Sequence, residues 1–261
     1  MENKFLTRWK QLEVNEEQPK YMNNLVEIEY DELRAKVLAQ ESDFVNQLVD
    51  SLWLGDIYLV KRAFTRNWVS SLKYKVSEFI ESEPESFHEI LEDCVDFHRM
   101  IDSDLAKKYS VDAVKHAAYF FPWNNDRLNI FKEVWKRWGV FKQLGGFDFD
   151  EYVNSTPKDG VVDRIQVCLY KAGSGGLSTH SDPYLNQRVF ISGYLSERGD
   201  EFHQGGFYAV DKIGEHVDLD ENIEIGDMGF GYATVLHGVK KVESNVNNTK
   251  DKYRGRWFLG L

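Results

Sequence analysis

In the stretch GGLSTHSDPY, residues 175–184, a histidine and an aspartate stand two positions apart, His180 and Asp182. Side chains at i and i+2 of an extended backbone project from the same side, so this pair could grip one ion from the end of a strand. Two histidines and one carboxylate on one face of an iron(II) ion leave its other positions open, as oxygen-activating non-haem centres require. A third donor must come from elsewhere, and His203, His216 and His237 are the downstream candidates. His203 lies in the turn-like RGDEFHQGG and His216 in the loop-like KIGEHVDLD. His237 ends GYATVLHGV, a strand by composition, and a rigid element positions a ligand best, so His237 is the expected third donor. The competing reading is structural: a polar turn at 180–182 and a core histidine at 237.

Other chemistries find no foothold. His88-Glu89 is followed at position 92 by Glu, so there is no HExxH zinc motif. KAGSGGLS lacks the GK[ST] that makes a phosphate loop, and neither G-x-S-x-G nor a Cys–His pairing in a known context occurs. A formal charge of −11 opposes phosphate backbones, so nucleic acid is not an expected partner. The two cysteines, Cys94 and Cys168, form no CxxC, which fits a reducing compartment. MENKFLTRWKQLEVNEEQPK has no apolar signal core and no run is long enough to span a bilayer, so the expectation is a cytoplasmic protein without membrane contact.

The elements that must hold these residues change texture near residue 150. Upstream, YDELRAKVLAQESDFVNQLVDSLW repeats apolar residues (Leu33, Val37, Leu38, Phe44, Leu48, Val49) at helical steps. SFHEILEDCVDFHRM opens with Ser86 and Glu89 at capping-box spacing and predicts another helix. NNDRLNIFKEVWKRWGVF predicts a third, capped by Asn125, with Trp135 and Trp138 at core spacing; Trp123, just upstream, is assigned to the core with them. GDIYLVKRAF reads as a strand, followed by a helix over roughly 66–82. Downstream, RIQVCLY, RVFISGYL, GGFYAVD, MGFGYATVLHGV and GRWFLGL read as strands with short connections, which suggests an antiparallel sandwich or barrel. ESNVNNTKDKYR reads as a polar loop, and Gly205-Gly206 as a tight strand connection. Arg164, Gln166, Cys168 and Tyr170 share one strand face, which is unusually polar for a core and would suit a solvated pocket or an exposed sheet. The expectation is one domain over 1–261, a mainly helical part (1–150) packed on a β core (151–261).

Four ordered blocks carry a resemblance: RIQVCLYKAGSGGLSTHSDP, RVFISGYLSERGDEFHQGGFYAVD, IEIGDMGFGYATVLHGVKKV and GRWFLGL. Together they resemble the Fe(II)/2-oxoglutarate-dependent dioxygenases, closest to the prolyl-hydroxylase-like and phytanoyl-type branch. The likeness covers roughly 160–261, and more weakly GDIYLVKRAFTRNWVSSL. It implies a double-stranded β-helix, the cupin-like jelly roll of a mixed α/β protein, with iron(II) at its mouth on His180, Asp182 and His237. It also implies that 2-oxoglutarate is anchored by an arginine on the last strand, where Arg254 and Arg256 share parity and Arg256 is favoured, with Tyr170 beside it. A planar guanidinium suits that task because it makes two parallel bonds to a carboxylate. The implied reaction uses O2, converts 2-oxoglutarate to succinate and hydroxylates a C–H bond of a small or medium-sized organic substrate. Asp182 occupies the position that halogenating members leave free for chloride. The substrate lid would come from the N-terminal part or from loops 197–205 and 211–224. The alternatives are a jelly-roll module that binds metal or sugar without turnover, and a hydroxylase of protein side chains.

Overall fold

The computed structural model describes residues 2–14, 17–106, 112–182, 187–243 and 252–261. Its N-terminal part runs α1 (Lys4–Leu12), β1 (Leu25–Glu29), α2 (Tyr30–Ala39), α3 (Ser42–Trp53), β2 (Ile57–Lys61), α4 (Arg66–Ser82), β3 (Phe97–Ile101), α5 (Ser103–Ala106), β4 (Ala113–Phe120) and α6 (Phe131–Leu144). The remainder is β5 (Ile165–Lys171), β6 (Gly176–His180), β7 (Val189–Tyr194), β8 (Gln204–Val210), β9 (His216–Asp218), β10 (Met228–Tyr232), β11 (His237–Glu243) and β12 (Gly255–Gly260). Most of the expected loop ESNVNNTKDKYR lies outside the described residues.

The strands follow the order β1-β2-β10-β7-β12-β5-β4-β6-β11-β8-β9, with β3 beside β4. Every pairing is antiparallel except β1 with β2. β4 turns the sheet back on itself: residues 116–120 pair with β5, while Ala113 and Val114 pair with β6. The two inner faces then meet, with Phe190 of β7 and Phe207 of β8 6.3 Å apart between ring centroids. This is the expected jelly roll, with helices packed outside it. Trp9 of α1 is fully buried, and its indole N–H donates to the Leu144 carbonyl at the end of α6. Among the described residues, no helix is long and apolar enough to cross a membrane.

The helix over 66–82 forms as expected, with Thr65 accepting the Trp68 N–H as its cap. Several expectations are corrected. The apolar run from Tyr30 to Trp53 is two helices, because Gln40 takes a left-handed conformation (φ 48°) between them. Leu38, counted on its apolar stripe, is 42% exposed. Residues 86–96 form no helix: the Ser86 N–H donates to the His98 carbonyl and the Glu85 carboxylate accepts the Met100 N–H, so this segment is fastened to β3. Without a helix to bury them, Phe87, Ile90, Leu91 and Val95 are exposed. MGFGYATVLHGV is two strands, β10 and β11, separated by a turn in which the Val235 N–H donates to the Tyr232 carbonyl.

The last correction concerns α6, which is not capped by Asn125. Asp126 accepts the N–H groups of Ile130 and Phe131 through its two carboxylate oxygens. Asp126→Ala should therefore cost about 1 kcal/mol of stability in a urea melt, while Asn125→Ala should cost a few tenths at most. Equal losses would contradict this assignment. The N-terminal part is also less helical than its texture suggests, since β2 and β4 are members of the core sheet. Trp138 is buried and Trp135 packs on the core; Trp123 stacks on Phe121 at 4.7 Å, so all three serve packing.

Candidate metal centre

His180 is the last residue of β6 and His237 the first of β11, and the antiparallel register sets these two residues opposite each other. Just past β6, the Asp182 N–H donates to the Ala233 carbonyl at 2.9 Å, which ties the H-x-D segment to the turn before β11. Nε2 of His180 lies 3.7 Å from one Asp182 oxygen, and Nε2 of His237 lies 3.6 Å from the other. One donor atom from each of the three residues falls within 4.8 Å of the other two. His237 therefore begins its strand, where the sequence placed it at the end of one; the expected rigidity comes from β11 rather than from the strand before it.

The imidazoles are oriented by their own backbone. Nδ1 of His180 bonds the Ser178 carbonyl and Nδ1 of His237 the Val235 carbonyl, each at 2.9 Å. A carbonyl accepts only, so Nδ1 carries the proton in both rings and each Nε2 presents a lone pair towards Asp182. Phe190 and Phe207 pack on the His237 ring at 4.6 and 5.8 Å. Burial pushes the His237 pKa down against the pull of Asp182, which keeps the imidazole neutral as metal ligation requires. Two neutral imidazole nitrogens and one carboxylate oxygen, convergent and pre-oriented, fit a first-row divalent metal such as iron(II).

Neither of the other candidate histidines joins this cluster. His216 begins β9 and stacks on Tyr208 at 4.0 Å, while His203 sits at the turn before β8, its N–H donating to the Glu243 carbonyl.

The three donors line one side of a cavity of about 290 Å³. Lys115, Arg164, Gln166, Tyr170, Phe190, Phe207, Arg256 and Phe258 are among its other walls. The polar face foreseen on β5 does line this space through Arg164, Gln166 and Tyr170. Cys168 does not: it is buried among Phe97, Ala117, Tyr119 and Phe121. Tyr170 is 1% exposed and burial raises its pKa to about 12, so it is a neutral hydroxyl, and that hydroxyl has no hydrogen-bond partner among the described residues.

The two arginines of the last strand part company. Arg254 precedes β12 and donates to the Asp200 carbonyl, away from the cavity. Gly255, at φ 150°, separates it from Arg256, so the shared parity does not translate into a shared face. Arg256 reaches the cavity wall, 3% exposed, with its guanidinium held by Asp220: Nε donates to Oδ2 at 2.6 Å and Nη2 to Oδ1 at 2.9 Å. Burial works against this charge and Asp220 more than offsets it, raising the Arg256 pKa on balance. Asp220 also accepts the Phe207 N–H at 2.8 Å. The Gly205-Gly206 step makes room for this carboxylate, because a Cβ on Gly206 (φ 110°) would meet Asp220 Oδ2 at 1.9 Å. The sequence reading missed Asp220, which looks like one more acid in a polar loop.

A second space of about 480 Å³ adjoins the first and shares Arg164, Gln187, Ile191 and Leu261 with it. Phe141, Phe147 and Tyr152 make much of its wall, and Ile90 from the segment before β3 closes one side.

No protein-family model and no curated protein matches the chain. Solved structures do. The chain is similar to a prolyl hydroxylase from Trichoplax adhaerens in complex with a hypoxia inducible factor oxygen degradation domain peptide fragment, with 12% identity and a TM-score of 0.54 over 88% of this chain and 89% of that one. It is similar to C-terminally truncated Neurospora crassa T7H, with 11% identity and a TM-score of 0.50 over 90% and 92% of the two chains. A Pseudomonas putida prolyl-4-hydroxylase matches with 14% identity and a TM-score of 0.49 over 87% and 96%. At such identities the likeness is one of fold. The chain has the jelly-roll fold of the prolyl hydroxylases, that of the Fe(II)/2-oxoglutarate oxygenases.

Proposed function

We propose that the protein is an Fe(II)- and 2-oxoglutarate-dependent dioxygenase that hydroxylates a C–H bond of a small or medium-sized organic substrate, acting as one domain over 1–261. The observation that carries this reading is the convergence of His180 Nε2, His237 Nε2 and the Asp182 carboxylate, with both Nδ1 protons engaged by carbonyls, at the wall of a partly enclosed cavity. Bound there, iron(II) would supply the redox chemistry that couples conversion of 2-oxoglutarate to succinate and CO2 with transfer of one oxygen atom of O2 to the substrate.

The chain's own residues supply orientation and shielding. His180 and His237 keep their donor nitrogens unprotonated and aimed, and Asp182 balances the ion's charge. Phe190 and Phe207 exclude water from the His237 side, where reacting groups need a dry and fixed environment. The cavity of about 290 Å³ suits a cosubstrate, and the adjoining aromatic cleft of about 480 Å³ offers room for a compact organic molecule. That enclosure favours a small molecule over a protein side chain. The two buried free thiols fit a reducing, cytoplasmic setting.

An anaerobic titration of the purified protein with iron(II) and then 2-oxoglutarate should develop the weak visible charge-transfer band of an iron–keto-acid chelate. Bound iron with no band on adding 2-oxoglutarate would overturn the oxygenase reading and leave a metal- or sugar-binding jelly roll in its place.

A further inference from the structure

Two spaces meet beside the candidate metal centre, and the charges on their walls are unequal. Lys115, Arg164 and Arg256 line the space that holds His180, Asp182 and His237; Lys142, Arg164 and Arg188 line the aromatic cleft next to it. Among the described residues, Asp182 is the one carboxylate on the first wall and Asp163 the one on the second. A chain with a formal charge of −11 thus turns an excess of cations towards this interior.

Most of these cations already have a partner. Arg256 is paired with Asp220. Lys142 is paired with Asp163, both side chains being buried, and its ammonium sits 4.5 Å from the centre of the Trp138 ring. Arg188 donates from Nε to Glu13 at 2.6 Å and from Nη1 to the Gly145 carbonyl at 2.8 Å. Lys115 and Arg164 have neither an ion pair nor a hydrogen bond among the described residues. Lys115 lines the first space only, whereas Arg164 lines both and stands where they join.

The fold explains that position. Arg164 immediately precedes β5, and strand alternation puts it on the face of Gln166 and Tyr170. Its guanidinium lies 5.6 Å from the centre of the Tyr119 ring on the neighbouring β4, where Tyr119 pairs with Gln166. Arg164 is also exposed. An anion entering from solvent therefore meets a planar fork of donors, placed by an aromatic ring, without first having to break an ion pair.

The cleft beyond is walled by Trp138, Phe141, Phe147, Tyr152 and Ile191, and its Lys142–Asp163 pair is neutral as a unit. With Lys142 and Arg188 committed, Arg164 is the single uncommitted cation of that wall, which matches a monoanion better than a doubly charged phosphate ester. We propose that the substrate is an apolar or aromatic monocarboxylic acid, its carboxylate held by Arg164 at the junction and its hydrocarbon body in the aromatic cleft. This rests on the oxygenase reading above and narrows its substrate from any compact organic molecule to an acid.

The test uses three acids and their amides, matched in shape and different in charge: 3-phenylpropanoate, indole-3-propanoate and octanoate. Isothermal calorimetry measures each pair against the full chain, metal-free and again under nitrogen with iron(II) and 2-oxoglutarate. At least one acid should bind roughly ten-fold or more tightly than its amide, the worth of a charged hydrogen bond. Arg164→Gln should weaken that acid roughly ten- to hundred-fold and leave its amide within about two-fold. Arg164→Lys should fall between, since an ammonium keeps the charge without the fork. Tyr152→Ala should weaken acid and amide alike by roughly three- to ten-fold, as loss of packing on the hydrocarbon body requires. Circular dichroism melts check that the variants fold, and the acid–amide comparison in wild type needs no variant.

The assignment is overturned by acids that bind no better than their amides, by no acid binding below about 10 mM, or by a preference that survives Arg164→Gln. A 2-oxoglutarate Kd raised more than roughly ten-fold in Arg164→Gln also overturns it, because the residue would then serve the cosubstrate. A wild type that binds iron but develops no charge-transfer band with 2-oxoglutarate overturns the oxygenase reading instead. The acid preference of the metal-free chain is read independently of that band, so the two failures are distinguishable.

Discussion

Asp220→Ala is expected to cost the fold about 3–5 kcal/mol, the range for breaking one partner out of a buried ion pair. The mechanism is specific. Asp220 and Arg256 are 2% and 3% exposed at their side chains, and the pair is bidentate. Removing the carboxylate leaves a guanidinium without its counter-charge at the cavity wall and strips the buried Phe207 N–H of its acceptor. Asp220→Asn should lose less, because an amide oxygen can still accept one of those bonds. The double change Asp220→Leu with Arg256→Met should be milder than the sum of the singles, since it leaves no orphaned charge. Urea unfolding at neutral pH measures wild type and each of these variants, including the single changes Asp220→Leu and Arg256→Met. A loss below about 1 kcal/mol for Asp220→Ala would mean that water or another group takes over the guanidinium.

Asp182→Ala should do the opposite: leave the metal-free fold nearly intact and remove the metal. Its side chain is 29% exposed and reaches the two histidines only at 3.6 and 3.7 Å, so the apo protein should melt within about 0.5 kcal/mol of wild type. Iron(II) or cobalt(II) affinity should fall by more than about 100-fold, because even a partner that merely orients a ligand is worth roughly 10–100-fold. His237→Ala should show a similar loss of metal binding, with an added stability cost from the space it leaves between Phe190 and Phe207. Calorimetric titration of each variant under nitrogen reads both quantities. Unchanged metal affinity in Asp182→Ala would reduce 180–182 to a polar turn.

The readable part of this site was the part written in residue types that need each other. Two histidines and an aspartate at strand ends make a poor core and a good donor set, and the β-branched and aromatic runs RIQVCLY, RVFISGYL, GGFYAVD and GRWFLGL lie within a residue of β5, β7, β8 and β12, whereas the short β9 reads as a loop. Lys115 and Asp220 were not readable for opposite reasons. β4, AVKHAAYF, carries two adjacent polar residues that break its alternation, and the apolar residues of the segment before it suggested a helix, so no strand was expected there. Asp220 follows two other acids, Glu215 and Asp218, and only the fold reveals that its carboxylate turns inward beneath Gly206 while Glu215 and Glu221 face water. The fate of Arg254 was hidden by Gly255, whose backbone breaks the two-residue period on which strand parity depends.

The way β2 joins the sheet carries a consequence for the birth of the molecule. Lys61, at the end of β2, bonds Asp227, which lies 166 residues further along the chain beside β10. At about 5–20 residues per second, a ribosome would take on the order of 10–30 s to deliver that partner after β2 itself has emerged. Through that interval β2 has an apolar face and one unpaired edge, the form in which nascent strands associate with the wrong chain. Closing so long a loop is also entropically slow, so the final registration of β2 against β10 should be a late, rate-limiting event of folding, sensitive to chaperones that shield extended apolar segments.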